Sequence, residues 1–137
     1  MVDNLSPAAR SENMRRIRSK GMKPEKIVRS LVHSLGYRFR LHSPGLPGRP
    51  DIVLPRLGKI IEVRGCFWHQ HNGCPDSHIP KSRKTYWVPK LRRNRQRDID
   101  NLKTLRKLGW RVAVVWECET LNIEQLASKL RKFLQIS

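Results

Sequence analysis

The sequence predicts an α/β fold in which helices cover a mixed β-sheet. Residues 51–54 and 59–64 are two short segments rich in Ile and Val, separated by only four residues, which predicts an antiparallel hairpin. Apolar residues recur at helical spacing before and after this hairpin, and the apolar run 110–116 between two such helices predicts a further strand. The predicted order is therefore helix, strands, helix, strand, helix.

The chain has the length of a single domain, with 137 residues. Residues 1–22 are basic and contain little apolar material, which is typical of an arm that orders on a partner. Residues 23–137 contain all the predicted elements and form the folded domain.

The first half of the domain is predicted to begin with a helix and to continue into the strands. Pro24 suits the first turn of a helix, and apolar residues follow at helical spacing until Gly36. Residues 37–41 alternate like a half-buried strand, and residues 43–50 are a loop rich in Pro and Gly. The inward-facing residues predicted for the helix are Ile27, Val28, Leu31, Val32 and Leu35.

The second half is predicted to contain two helices around a strand. Residues 65–80 follow no regular pattern and are dense in His and Cys. A basic helix follows over about 90–108, residues 110–116 are apolar enough for a central strand, and Asn122 with Gln125 has the spacing of a helix cap. The residues predicted to face inward are Leu91, Ile99, Leu102, Leu105 and Leu108 in the first helix, and Leu126, Leu130, Phe133 and Leu134 in the second.

The charge of the chain indicates a nucleic-acid partner. Lys and Arg number 29 against 11 Asp and Glu, so the formal net charge is +18. So small a domain repels itself strongly unless a polyanion offsets this charge. No apolar run approaches the roughly 18 residues of a membrane-spanning helix, and the first residues lack the apolar core of a secretion signal. We therefore expect a cytosolic protein that does not bind membranes.

Three residues of the hairpin have the chemistry of a catalytic magnesium site. Asp51 begins the first strand, while Glu62 and Arg64 are two residues apart in the second and so point to the same face. Carboxylates are hard oxygen ligands for Mg²⁺, and a nearby cation can stabilise the charge of a phosphate during its displacement. The alternative is a surface ion pair between neighbouring strands.

A second group of residues has the chemistry of a structural zinc site. Cys66, His71 and Cys74 lie in one loop with the spacing C-x4-H-x2-C, and Cys118 follows the last predicted strand. Four such ligands would form a closed tetrahedral site. His78 is a rival ligand, and in the alternative interpretation the cysteines are simply buried thiols.

His69 is a candidate general base in the same loop. If His71 binds zinc, His69 is free to titrate near neutral pH and to take a proton from a water that attacks phosphorus. The alternative is a solvated loop histidine.

Two adjacent aromatic pairs, Phe67-Trp68 and Tyr86-Trp87, lie among basic residues. This pattern suits stacking on bases or wedging between base pairs, although at least one of the four rings is expected to be ordinary core packing. The neighbouring cations are Lys81, Arg83, Lys84 and Lys90, and the helix residues expected to contact phosphates are Arg92, Arg93, Arg95 and Arg97.

Several motifs together closely resemble the very short patch repair (Vsr) endonucleases. They are LPGRPDIV at 46–53, GCFWH at 65–69, NRQRD at 94–98 and GWRVAVVWEC at 109–118, and RSENM at 10–14 is similar as well. The similarity spans nearly the whole chain.

The resemblance implies a restriction-endonuclease-like fold of the PD-(D/E)xK type, with a mixed sheet flanked by helices and a zinc-stabilised loop. It also implies an enzyme that nicks one strand of double-stranded DNA on the 5′ side of the thymine in a T·G mismatch, the lesion left when 5-methylcytosine deaminates. Such an enzyme would act at the nucleoid in the bacterial cytoplasm. A monomer would suffice, because one nick needs one active site, and mismatch-repair proteins are candidate partners.

The resemblance further implies roles for individual residues. Asp51 and the backbone carbonyl of Val63 would bind the catalytic Mg²⁺, Glu25 would hold a metal-bound water, His69 would be the general base, and Asp98 would support the site. The residues that would hold the structural zinc are Cys66, His71, Cys74 and Cys118. The residues that would contact DNA are Phe67, Trp68 and Trp87 as a wedge beside the mismatch, Met14 from the opposite groove, and Arg15, Arg16, Lys84 and Arg93.

Three features depart from the family pattern. The loop before Cys74 is one residue longer than usual, position 62 is commonly apolar in the family, and position 64 is often His. We therefore expect Glu62 to be a further metal ligand and Arg64 to contact the scissile phosphate. The alternative function is a non-catalytic, zinc-stabilised DNA-binding module that recognises distorted duplex.

Overall fold

The computed structural model describes residues 23–135, so the predicted basic arm at 1–22 lies outside the described residues. The predicted order of helix, strands, helix, strand, helix is confirmed. The elements are helix α1 (Pro24–Ser34), strands β1 (Arg40–Leu41), β2 (Ile52–Leu54) and β3 (Lys59–Arg64), helix α2 (Lys84–Lys107), strand β4 (Arg111–Trp116) and helix α3 (Ile123–Leu134), with short 3₁₀ helices at Pro75–Ser77 and Glu117–Leu121.

The four strands form one mixed sheet in the order β1-β2-β3-β4. Strands β2 and β3 are the predicted hairpin, with Ile52 opposite Ile61, and β1 adds to it antiparallel. Strand β4 runs parallel to β3, because the long helix α2 makes the crossover between them. The prediction that β4 is a central strand is wrong. It lies at an edge of the sheet, since apolar content alone does not distinguish a central strand from a helix-covered edge strand.

Helices pack on both faces of the sheet. Successive side chains of a strand point to opposite faces, so Ile61 packs in one layer and Ile60 in the other. The Ile61 layer is the larger core and holds Leu31 of α1 and Leu130 of α3. The Ile60 layer is smaller and holds Leu105 of α2. Residues 60, 62 and 64 of β3 therefore share the face that α2 covers.

The long helix α2 differs in two respects from its prediction. It begins at Lys84 rather than near residue 90, and it accommodates Pro89 in its second turn. Ile99 and Leu108, which were predicted to face inward, are 44% and 60% exposed, whereas Leu91 and Leu105 are buried. The helix is longer than the sheet beneath it, so only a narrow stripe of its surface finds apolar contacts.

The first strand is also shorter than predicted. Only Arg40–Leu41 pairs with β2, and both residues are exposed rather than half-buried. The buried residue of this segment is Tyr37, which belongs to the main core before the strand begins. Along the chain, the residue that packs into the core therefore comes before the two residues that pair with the sheet.

Polar contacts hold both ends of α3. The side-chain oxygen of Asn122 accepts a hydrogen bond from the backbone N–H of Gln125 at 3.1 Å, which confirms the predicted cap. At the other end, the buried Lys59 of β3 donates hydrogen bonds to the carbonyls of Phe133 and Gln135 at 2.6 and 3.1 Å. Among residues 23–135, none of the helices combines the length and hydropathy that crossing a membrane requires.

Candidate active site and metal-binding loop

A cleft of about 220 Å³ opens between the end of β3 and helix α2. Residues far apart in the sequence meet here, because the hairpin, the loop after β3 and the helix converge at this end of the sheet. The predicted site residues that line the cleft are Asp51, Glu62, Val63, Arg64, His69 and Asp98.

Asp51 lies directly before β2 and is anchored to the neighbouring strand. Its Oδ2 accepts a hydrogen bond from the backbone N–H of Val63 at 2.7 Å. Burial raises the pKa of Asp51 above its ordinary value, and the charges of Glu25 and Glu62 raise it further, while the Val63 N–H and His42 lower it. The charged form of Asp51 is therefore destabilised, and a bound cation would offset this.

Glu25, His42 and Asp51 form a group of potential metal ligands. Their ligand atoms all lie within 4.8 Å of one another. Glu25 comes from α1, and Oε1 of its carboxylate lies 2.9 Å from Nε2 of His42. His42 was not predicted as a site residue. Its position follows from the pairing of β1 with β2, because Leu41 pairs with Ile52 and so brings the next residue opposite Asp51. No pattern in the sequence gives this pairing.

Glu62 lies outside this group of potential ligands. Its Oε2 accepts a hydrogen bond from the guanidinium of Arg64 at 2.7 Å, and both side chains are only 12% exposed. The guanidinium also lies 5.9 Å from the ring centre of Trp116. Glu62 and Arg64 thus share a face, as their spacing predicts, and form a mostly buried ion pair within one strand.

His69 and Asp98 form a second close pair in the cleft. Nδ1 of His69 lies 2.6 Å from Oδ2 of Asp98, which comes from helix α2. With Nδ1 engaged by a carboxylate, Nε2 is the ring nitrogen left to exchange a proton. This is the arrangement of a base oriented by an acid.

Gln70 separates the two histidines of the loop and was not predicted to have a role. Its backbone has a φ of 50°, a left-handed conformation that reverses the chain. Its side-chain amide donates hydrogen bonds to the carbonyls of Phe67 and Ser77 at 2.7 and 3.1 Å. His69 can therefore approach Asp98 while His71 joins the cysteines.

Cys66, His71, Cys74 and Cys118 form a compact group whose ligand atoms all lie within 4.8 Å of one another. Nδ1 of His71 lies 3.7 Å from Sγ of Cys66 and 3.5 Å from Sγ of Cys118. A tetrahedral metal with ordinary metal–sulfur and metal–nitrogen bonds separates such atoms by about 3.6 Å. The four side chains can therefore hold one metal ion, and the rival ligand His78 is not among them.

Burial affects the thiols of this group. It raises the pKa of the Cys66 thiol to about 12 and also raises that of Cys118. A thiol binds a metal as the thiolate, so a metal ion at this group would displace these protons. The ring of His71 stacks on Trp116 at 4.1 Å, which fixes its orientation.

The aromatic residues form a partly exposed cluster beside the cleft. Phe67, Trp68 and Trp87 make edge-to-face contacts with ring centres 5.2 to 5.7 Å apart, and Nζ of Lys90 lies 5.5 Å from the Trp68 ring centre. The expectation that one of the four rings is core packing is wrong, since Trp68 and Tyr86 are exposed and the other two are only half-buried. They sit on a loop and a helix start that extend beyond the sheet.

The remaining predicted DNA contacts fall into two groups. The basic residues on α2 are exposed and can approach a polyanion from solvent, namely Lys84, Arg92, Arg93, Arg95 and Arg97. Met14, Arg15 and Arg16 lie outside the described residues.

Comparisons with known proteins give consistent matches. The family model described as "DNA mismatch endonuclease Vsr" matches residues 2–76. The "Type II nicking enzyme V.XorIIP" of Xanthomonas oryzae is 52% identical over 137 residues, which cover all of both chains. The "DNA mismatch endonuclease Vsr" of Escherichia coli is 38% identical over 98% of this chain and 88% of the relative. The "Type II nicking enzyme V.NmeAIP" of Neisseria meningitidis is 38% identical over 98% and 96%, respectively.

The raised pKa of Asp51 predicts that D51N stabilises the protein when no divalent cation is added. The substitution removes a charge that burial opposes, and its amide oxygen can still accept from Val63. An acid with a raised pKa destabilises the fold above that pKa, and the penalty disappears as the pH falls toward the ordinary value of 3.8. Urea unfolding should therefore show a higher free energy of unfolding for D51N at neutral pH, and a difference that shrinks toward about pH 4.

The exposed Asp76 supplies a matched control, and D76N should change stability little at either pH. A D51N protein no more stable than the wild type at neutral pH would contradict the prediction.

Proposed function

The chain belongs to the Vsr family of DNA mismatch endonucleases and is a nuclease, and from this premise we propose that it nicks one DNA strand 5′ of the thymine in a T·G mismatch, using Mg²⁺. Family membership sets aside the non-catalytic DNA-binding module. The observation that carries the proposal is the single cleft shared by Asp51, Arg64 and the His69–Asp98 pair.

His69 is proposed to act as the general base. Its Nε2 takes a proton from the water that attacks phosphorus, and Asp98 at Nδ1 stabilises the resulting imidazolium. The close contact between these two side chains keeps the imidazole in the orientation that proton transfer needs. The proton thus leaves the water as the new phosphorus–oxygen bond forms, while the bond between phosphorus and the leaving sugar oxygen breaks and that oxygen takes a proton from solvent.

Asp51 and the carbonyl of Val63 are proposed to hold the catalytic cation, with Glu25 nearby. When bound, Mg²⁺ would neutralise charge that develops on the phosphate. The chemistry of the residues fits a cation, because the charged form of Asp51 is destabilised by burial and by neighbouring carboxylates. The backbone N–H of Val63 keeps the Asp51 carboxylate pointing into the cleft.

Arg64 is proposed to contact the scissile phosphate. The Arg64 guanidinium donates one hydrogen bond to Glu62, and its other N–H groups remain for phosphate oxygens. Strand β3 then supplies an acid and a cation two residues apart, which supports a PD-(D/E)xK type of fold. The prediction that Glu62 also binds the metal directly stays open to test.

The partly exposed aromatic cluster of Phe67, Trp68 and Trp87 is proposed to wedge into the duplex beside the mismatch. A mismatched base pair costs less free energy to unstack than a Watson–Crick pair, so a preformed wedge favours mismatched sites. Lys84 and Arg93 would contact phosphates, and the basic arm with Met14, Arg15 and Arg16 would approach from the opposite groove.

The group of Cys66, His71, Cys74 and Cys118 is proposed to bind a structural Zn²⁺. Three thiolates and an imidazole are ligands that select zinc, and four protein ligands leave no open position for catalysis.

Cleavage of DNA provides the first test of the proposed function. Purified protein with Mg²⁺ should nick a duplex that carries one T·G pair, mapped at the 5′ side of the thymine, and should leave the matched T·A duplex intact. D51N should reduce the nicking rate by at least about a hundredfold, because it removes a carboxylate ligand of the cation. Fluorescence anisotropy without Mg²⁺ should show that D51N still binds the T·G duplex. D76N should nick at the wild-type rate, and cleavage of neither duplex by the wild type would overturn the proposal.

Glu62 provides a second test. If Glu62 binds the cation, E62Q should lower the nicking rate by about tenfold or more, and higher Mg²⁺ should recover part of the loss. Gln can still accept a hydrogen bond from Arg64, so the variant tests ligation more than strand packing. Retention of the full rate at low Mg²⁺ would show that Glu62 is not a ligand.

Zinc binding is testable by elemental analysis. The purified protein should contain one zinc per chain, and C118S should lose most of it and become sensitive to proteolysis within residues 65–80. H78Q replaces the exposed rival histidine and should keep its zinc. Zinc loss in H78Q but not in C118S would assign the site to other residues.

A further inference from the structure

His42 has no part in the function proposed so far, yet it lies among the acidic residues at the catalytic end of the sheet. A ring nitrogen of His42 and carboxylate oxygens of Glu25 and Asp51 all lie within 4.8 Å of one another. We propose that His42 is a direct protein ligand of the cation at this site, and that it makes the site prefer Mn²⁺ to Mg²⁺. This inference deepens the proposed nuclease function by naming the class of cation that its site binds.

The distance between His42 and Glu25 fits two neighbouring ligands of one ion. Ligand atoms about 2.1 Å from a metal, in adjacent octahedral positions, lie about 3.0 Å apart. Nε2 of His42 lies 2.9 Å from Oε1 of Glu25. A single ion can therefore contact both atoms without a large movement of either side chain.

The environment of Glu25 supports the same conclusion. Its Oε1 is buried and has no hydrogen-bond partner among residues 23–135, although His42 is close. The two atoms thus approach each other without the geometry of a hydrogen bond. A buried carboxylate oxygen without a partner is costly, and a cation would satisfy it.

The backbone fixes His42 opposite Asp51. Strand β1 ends at Leu41, which pairs with Ile52, and the N–H of His42 then donates to the carbonyl of Asp51 at 3.2 Å. His42 itself has a φ of 46°, so the chain turns away directly after this contact. Its side chain is 54% exposed, which leaves the site open to an ion from solvent.

The ligand chemistry determines the preference among cations. Mg²⁺ is a hard cation that binds oxygen ligands and dehydrates reluctantly. Mn²⁺ also binds carboxylates, and as a first-row transition metal it gains more than Mg²⁺ from an added nitrogen ligand. Two carboxylates with one imidazole should therefore favour Mn²⁺. Zinc is drawn instead to the three thiols of Cys66, Cys74 and Cys118, so that site does not compete for Mn²⁺.

The competing interpretation is that a protonated His42 serves as a counter-charge for Glu25. The two interpretations predict opposite changes in cation affinity when His42 is replaced. A counter-charge repels a cation, so its removal would free Glu25 and tighten cation binding. A ligand contributes a bond, so its removal weakens cation binding.

The test compares Mn²⁺ binding in the full-length, zinc-loaded protein without DNA. The electron paramagnetic resonance signal of free Mn²⁺ gives the dissociation constant for Mn²⁺, and competition by Mg²⁺ gives the dissociation constant for Mg²⁺. H42Q should weaken Mn²⁺ binding by about tenfold or more and change Mg²⁺ binding less. H33Q replaces an exposed histidine on α1 and should match the wild type.

Three outcomes overturn the proposal: no Mn²⁺ bound by the wild type, unchanged Mn²⁺ affinity in H42Q, or tighter Mn²⁺ binding in H42Q. Thermal unfolding of H42Q at the wild-type temperature establishes that the variant is folded. Nicking of the T·G duplex by the wild type is scored separately. If the wild type nicks the T·G duplex and H42Q binds Mn²⁺ normally, only the role of His42 is refuted. If H42Q loses Mn²⁺ binding and the wild type does not nick, only the proposed nuclease specificity is refuted.

Discussion

The pairing of β2 with β3 is the constraint on which the rest of the site depends. With Ile52 opposite Ile61, Asp51 stands beside the end of β3, and its carboxylate accepts the backbone N–H of Val63 at 2.7 Å. A slip of the register by one residue would exchange the two faces of the strand and turn the acidic and basic side chains away from α2. The buried layers on both faces oppose such a slip, because it would turn the charged Glu62 toward the larger core and exchange Ile60 and Ile61 between layers of different size. Hydrophobic packing thus determines where the charged groups lie.

The electrostatics of the cleft follow from this placement. A chain with a net charge of +18 has few acids, yet Glu25, Asp51 and Glu62 are close enough for their charges to raise the pKa of Asp51. Arg64 pairs with Glu62 and leaves the other two carboxylates to a cation. In a protein suited to a polyanion, this local excess of negative charge is the place where a divalent cation can bind and meet a phosphate.

Local patterns were enough to predict much of the fold and part of the site. The spacing of Glu62 and Arg64 on one strand and the cap formed by Asn122 depend on near neighbours, so periodicity captures them. His42 depends on which residue β1 places opposite Asp51, and the edge position of β4 depends on strand order. Neither is encoded in a local pattern, because both follow from pairing between distant segments. The exposure of Ile99 has the same origin, since the length of a helix does not reveal where the sheet beneath it ends.

The loop after β3 links the two proposed metal sites. Among residues 65–80 only Cys66 is buried, so apolar packing cannot determine the shape of this loop. Polar contacts contribute instead, namely the group around His71 and the hydrogen bonds of the Gln70 side chain, together with the aromatic contacts that Phe67 and Trp68 make with Trp87. His69 lies between these anchors and reaches Asp98 on α2 from the same loop. The position of the proposed general base therefore depends on the cysteines proposed to bind the metal, although none of them lines the cleft.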